Sequence, residues 1–237
     1  MLFSHDPTHW MRHLAIIVLT LHISACSDPV ENAQQAMLER LGGYSELEFG
    51  DITVFGGGAV CGEYRNTDSF GRGGRFAPFI VWGDFTLARP SSADVAFFCT
   101  EEPEAVLRND HGIGPIADQQ AQLQHIRRDL RALESAIEQY RAQNFRLVPV
   151  EQGLAALLEV SSIPEQSEDA AVSAYLEELP LDPWGKPYGY RPIGLGGGVA
   201  QQFDIFTLGA DGTEGGVGEN ADIRLKHLRY LDYLLGN

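Results

Sequence analysis

Apolar residues at Leu123, Ile126, Leu130, Leu133, Ile137 and Tyr140 recur every three or four positions, the repeat of one helix face. The positions between them are mostly Gln, Arg and Glu, so the pattern predicts an amphipathic helix from Ala117 to Gln143 that packs its stripe on its own domain. Upstream the rhythm changes. Short β-prone runs at 49–54, 59–61, 79–81 and 95–98 are separated by Gly, Pro and Ser, which predicts a small, mostly β domain over 49–100. Residues 101–115 hold two Pro, two Gly and a charge cluster and read as a linker. After the long helix, helical stretches are expected up to Leu158 and over Ala170 to Glu178, followed by a strand at Tyr188 to Tyr190. Leu225, Leu228, Leu231 and Leu235 predict an amphipathic tail helix within 224–237.

The apolar run from Leu14 to Leu21 falls short of the roughly 20 residues that cross a bilayer. It reads as the core of an export signal, with Met11 a better start than Met1 because Arg12 and His13 then flank the run. The signal ends in Ile23-Ser24-Ala25-Cys26, which resembles the lipobox of bacterial lipoproteins. That resemblance implies a signal peptide over 1–25, lipidation of Cys26 and membrane attachment through the lipid at the periplasmic face; the polar stretch that follows through residue 48, with Ala36, Met37 and Leu41 in a short apolar periodicity, reads as a tether with one short helix. Ser27, in place of Asp, favours the outer membrane on the same resemblance. With Cys26 assigned to lipid, Cys61 and Cys99 remain as one pair and are expected to form a disulfide in an oxidising compartment. Neither has a further Cys or His at the spacing of a zinc site.

Charge narrows the partners. The 17 Lys+Arg stand against 33 Asp+Glu, a net charge of −16, which excludes nucleic acid and anionic lipid surfaces and leaves cations as ligands. No nucleophile elbow, His-Glu-x-x-His or phosphate loop occurs, and the reading is not an enzyme. Glu63, Asn66, Asp68 and Ser69 read as turn and loop polars around the disulfide, and His125 as a helix-surface residue.

The C-terminal half carries an ordered set of motifs. After the long helix come Glu151-Gln152-Gly153-Leu154, then Leu179-Pro180-Leu181-Asp182-Pro183-Trp184-Gly185-Lys186-Pro187-Tyr188, then Phe203-Asp204-Ile205-Phe206-Thr207-Leu208-Gly209-Ala210-Asp211-Gly212, and last Ala221-Asp222-Ile223. Pro183 and Pro187 bracket Trp184-Gly185 in what reads as a rigid turn presenting the indole to the core. In the final loop Asp211, Glu214, Glu219, Asn220 and Asp222 lie among glycines, a density of oxygen ligands and negative charge suited to a hard cation. Over about residues 120 to 223 this series resembles the major pseudopilin of bacterial type II secretion, the G subunit.

The resemblance implies an α+β fold. A long N-terminal helix packs on a small antiparallel sheet with a Gly-rich calcium-type loop over 116–223, preceded by the small, mostly β disulfide domain. It also implies a structural Ca²⁺ held by the carboxylates of Asp211 and Asp222 and the carbonyl of Leu208, with the Val217 carbonyl as a further ligand by position. Ala221 stands where the family pattern has a second Asp, which makes Glu214, Glu219 and Asn220 additional candidate ligands. Pseudopilins begin with a leader and a continuous apolar helix, whereas here polar Asp118-Gln119-Gln120 and the linker precede the long helix. The expectation is therefore a tethered structural or interaction protein whose partners are the pseudopilus or other secretion-system proteins. The alternative is a ligand-binding or scaffold lipoprotein in which residues 49–100 do the recognising.

Overall fold

A computed structural model describes residues 28–42, 46–68, 72–158, 174–194 and 202–236. The expected signal peptide and Cys26 lie outside the described residues, as do Ser69 and the first part of the helix expected over 170–178.

The first helix, α1 (Pro29–Leu41), starts where Asp28 accepts a hydrogen bond from the Val30 amide at 2.9 Å and Pro29 supplies a preset φ. It lies over one face of a four-stranded antiparallel meander, β1 (Glu46–Val54), β2 (Val60–Thr67), β3 (Ala77–Trp82) and β4 (Phe85–Ala88), in the order β1-β2-β3-β4. Alternation along β2 and β3 divides their side chains between two cores. Val60, Tyr64, Phe79 and Val81 join Ala33 and Met37 of α1, one turn apart, while Cys61 and Ile80 enter the main core on the opposite face. Gly62 makes the first packing feasible: a Cβ there would stand 2.7 Å from the Phe79 ring.

Two helices follow where a strand and a linker were expected. Residues 92–98 form α2 (Ser92–Phe98), because Ser91 and Asp94 close a reciprocal capping box and Phe97 and Phe98 both turn into the core. Residues 103–111 form α3 (Pro103–His111), and the Pro and Gly that suggested a linker are its terminal residues: Pro103 opens it and Gly112 closes it at φ +72°. Leu107 and Ile113 are fully buried. Cys99, just past α2, is bonded to Cys61 of β2. The disulfide therefore joins a strand to a helix end.

The long helix α4 runs Ile116–Asn144, one residue beyond the predicted helix at each end. Leu123, Ile126, Leu130, Leu133, Ile137 and Tyr140 are all buried within the chain's own core. A 3-10 turn, Gly153–Leu158, adds Leu154, Ala156 and Leu157. Residues 174–178 are not helical; the Leu176 amide instead donates to the Leu157 carbonyl at 3.1 Å, pinning this stretch beside the 3-10 turn. A second antiparallel sheet, β5 (Gly189–Ile193), β6 (Gln202–Thr207) and β7 (Ile223–Arg224), lies against α4.

The last helix, α5 (Leu228–Leu235), packs on α4 and buries Leu228, Tyr230 and Leu231. Tyr230 stacks on Phe97 with ring centroids 4.2 Å apart, and Tyr233 meets Trp82 and Phe98 edge-on. The buried carboxylate of Asp94 accepts from Arg229 and from the Tyr230 hydroxyl, each at 3.1 Å. One apolar core thus extends from Cys61 and Ile80 through Phe97 and Leu130 to Ile205 and Leu231. No helix among the described residues is long and apolar enough to cross a membrane.

Candidate metal centre

The acidic, Gly-rich segment connects β6 to β7, and its first residues are fixed from below. Thr207, buried at the end of β6, donates its hydroxyl to Asp182 Oδ2 at 2.6 Å and accepts from the Gly209 amide at 3.2 Å. Asp182 is itself buried, and its other oxygen accepts from the Trp184 and Lys186 amides at 3.1 and 2.8 Å. The turn read from its two prolines is therefore organised by a carboxylate, which pins both that turn and the entry to the loop. Lys186 reaches from the same turn to the Ala210 carbonyl at 2.7 Å.

The two arms of the loop touch through main chain. The Ala210 amide donates to the Glu219 carbonyl at 2.8 Å. Gly209, at φ +68°, would place a Cβ 2.6 Å from the Asn220 carbonyl carbon, and Gly216, at φ +86°, would place one 2.3 Å from the Asn220 oxygen. Both positions need glycine for conformation and for closeness. Asp211 is exposed, with Oδ1 accepting from the Thr213 amide at 3.0 Å. Glu214, Glu219 and Asn220 are exposed, and Val217 is 73% exposed with its carbonyl accepting from the Asn220 amide at 3.2 Å.

Asp222 differs. Its Oδ2 takes Arg224 Nη2 at 3.3 Å, while its Oδ1 is buried without any hydrogen-bond partner. A buried carboxylate oxygen left unpaired is costly unless a cation or water meets it, so the residues fit an oxygen-ligated ion at this point. Ala221, the departure from the family pattern, is fully buried, a place where a second carboxylate would need its own partner. Among the described residues no three His, Cys, Asp or Glu side chains gather in metal-binding reach. Asp211 and Asp222 with main-chain carbonyls need no such trio, and neither Glu214 nor Glu219 joins those two in one.

Arg224 extends the site outward. Its Nη1 binds Asp204 Oδ2 at 3.0 Å, and its amide donates to His227 Nδ1 at 3.2 Å. That bond makes Nδ1 the acceptor and leaves the proton on Nε2, which is buried and unpartnered. Burial, with His111 and Lys226 nearby, lowers the His227 pKa to about 3, so the ring is neutral. His125 is on the helix surface as expected, but not idle: its Nε2 lies 3.0 Å from Asp129 Oδ2 and 3.2 Å from the Leu181 carbonyl. Asp182 and Arg224 are the residues that sequence reasoning missed. An Asp directly before Pro-Trp-Gly is a turn signal in its own right.

Residues 116–226, which span α4, the second sheet and the loop, match the family described as type II secretion system (T2SS), protein G. The type II secretion system core protein G of Pseudomonas aeruginosa is 38% identical over 104 residues, covering 44% of this chain and 70% of that protein. Its Vibrio cholerae counterpart is 42% identical over 95 residues, covering 40% of this chain and 62% of that protein. The crystal structure of the major pseudopilin from the type 2 secretion system of enterohaemorrhagic Escherichia coli is matched at 33% identity, over 46% of this chain and 89% of that one, with a TM-score of 0.35. The sequence matches place the C-terminal part among type II secretion system core proteins G. The chain belongs to the type II secretion system protein G family. Helices α1 to α3 and the four-stranded sheet lie outside the matched residues.

Proposed function

We propose that this protein is a membrane-tethered companion of a secretion pseudopilus, with its pseudopilin-like part displayed in the periplasm from a lipid on Cys26, at the outer membrane. The observation that carries this reading is the state of α4. Its apolar stripe is consumed by the chain's own core, and α3 and the four-stranded sheet precede it. A helix used in this way has no free apolar face along that stripe for stacking into a filament, and the role assigned to it is recognition of filament components. Affinity capture of the tagged full chain from its own cells is expected to retrieve pseudopilins or other secretion-system proteins; retrieval of none of them overturns the reading.

The loop completes the proposal. Asp211, Asp222 and the carbonyls of Leu208 and Val217 hold Ca²⁺, with Glu214, Glu219 and Asn220 as surrounding oxygen donors. The ion supplies the positive charge that offsets the loop carboxylates and ties its two arms together. The chain's own residues prepare the place: Thr207 and Asp182 fix the backbone entering Leu208, and Arg224 engages one oxygen of Asp222 while leaving the other uncommitted. The unpartnered Asp222 oxygen is the support for this assignment.

A further inference from the structure

The calcium-type loop does not face solvent on all sides, because the end of α3 is fastened to it. The Gly112 carbonyl accepts the Gly218 amide at 2.8 Å. Gly112 itself sits so close that a Cβ there would lie 2.7 Å from the Gly216 oxygen and 3.4 Å from Val217. A second contact reaches the other arm of the loop. His111 of α3 packs its ring 4.7 Å from that of His227, whose Nδ1 receives the amide of Arg224, the residue that holds Asp222. Between the two contacts lies a cleft of about 380 Å³ bordered by Arg108, His111, Gly112, Gly216, Val217 and His227.

Helix α3 belongs to the part of the chain outside the family match, and its Leu107 lies in the core shared with Phe97, Phe98 and the disulfide-bonded Cys61. We propose that the loop is a calcium-operated latch: occupancy fastens the end of α3 onto the pseudopilin-like half, at the edge of the core that the two halves share. This rests on the Ca²⁺ assignment above. Without the ion, repulsion between Asp211 and Asp222 opens the arms, and Val217 and Gly218, adjacent in the chain, withdraw together from the ion and from Gly112. Coupling of this kind is reciprocal, so whatever disturbs the α3 contact weakens calcium binding although α3 donates no ligand.

Hydrogen exchange of the full chain, with Ca²⁺ and after chelation, tests the latch. Chelation is expected to speed exchange in the loop, at the Ala210 and Gly218 amides, and equally in the last turn of α3 at Gly112, with β2 and β3 unchanged. Gly112→Ala, which drives a methyl group toward the Gly216 oxygen, is expected to weaken Ca²⁺ affinity by about tenfold, an ordinary magnitude for coupled sites. His111→Ala, which leaves the Gly112 hydrogen bond in place, is expected to weaken it less. If chelation loosens the loop and leaves α3 protected, the latch is wrong and the metal assignment stands. If neither segment responds, both are wrong.

Discussion

The two sheets of this protein are held by different means. The four-stranded sheet has strands of up to nine residues, apolar residues on both faces, a helix across one of them and a covalent bond to the residue that ends α2. The three-stranded sheet ends in a strand of only two residues, and its order depends on polar pins, the buried one of Thr207 to Asp182 and the half-buried ones of Arg224 to Asp204 and Asp222. Side-chain alternation and a crosslink can specify the first sheet with little help. The second is specified by electrostatics that must be complete to be favourable, since a partly satisfied buried network costs more than it contributes.

The largest expected break in that contrast comes from the disulfide. Closing the segment between Cys61 and Cys99 stabilises the fold by about 4 kcal/mol on the chain-entropy account, so Cys61→Ala with Cys99→Ala should lower the denaturant midpoint by a corresponding amount. Calcium should act on the other half. At 100 times its dissociation constant it should add about 2.7 kcal/mol, seen as a raised melting temperature that Asp211→Ala or Asp222→Ala abolishes; a melt indifferent to Ca²⁺ would remove the ion from the account. Thr207→Val should cost about 2 kcal/mol, because it strips a charge-assisted bond from buried Asp182. A loss well below that in urea unfolding would mean that the backbone amides alone hold this carboxylate.

The smallest effect at neutral pH concerns His227. Its folded pKa, depressed to about 3 by burial, lies below the ordinary 6.5 of the unfolded chain, so the folded state resists protonation. The resulting stability is fully present above pH 6.5 and is lost as pH falls from there toward 3. His227→Gln should flatten that part of the stability profile; an unchanged slope would assign it to the carboxylates.

The contrast also decides what was legible from residues alone. The α4 stripe could be read because one helix face is local information, and the Gly-rich acidic loop because its motif is contiguous. Residues 95–98 misled because Val-Ala-Phe-Phe has strand composition, while the outcome was set by the Ser91 and Asp94 cap and by aromatics arriving from α5. Pro103 and Gly112 looked like linker punctuation and proved to be the two ends of a helix, a distinction that depends on Leu107 finding a core. The same dependence defeated the described part, 174–178, of the helix expected over 170–178. Asp182 caps its own turn, but its hold on the loop entry comes from Thr207, 25 residues later, and no reading of a single turn discloses such a partner.

The stacking of Phe97 on Tyr230 carries a consequence for biosynthesis. The two residues are 133 positions apart, and the second lies in α5, made long after the first sheet. A chain produced from its N-terminus therefore holds the first sheet, with the face of Phe97 that Tyr230 covers left open, until α5 arrives. During that interval the half that looks more self-sufficient in the finished molecule is the one in need of shelter from aggregation, and a ribosome stalled before Leu228 would release a product with an open aromatic face.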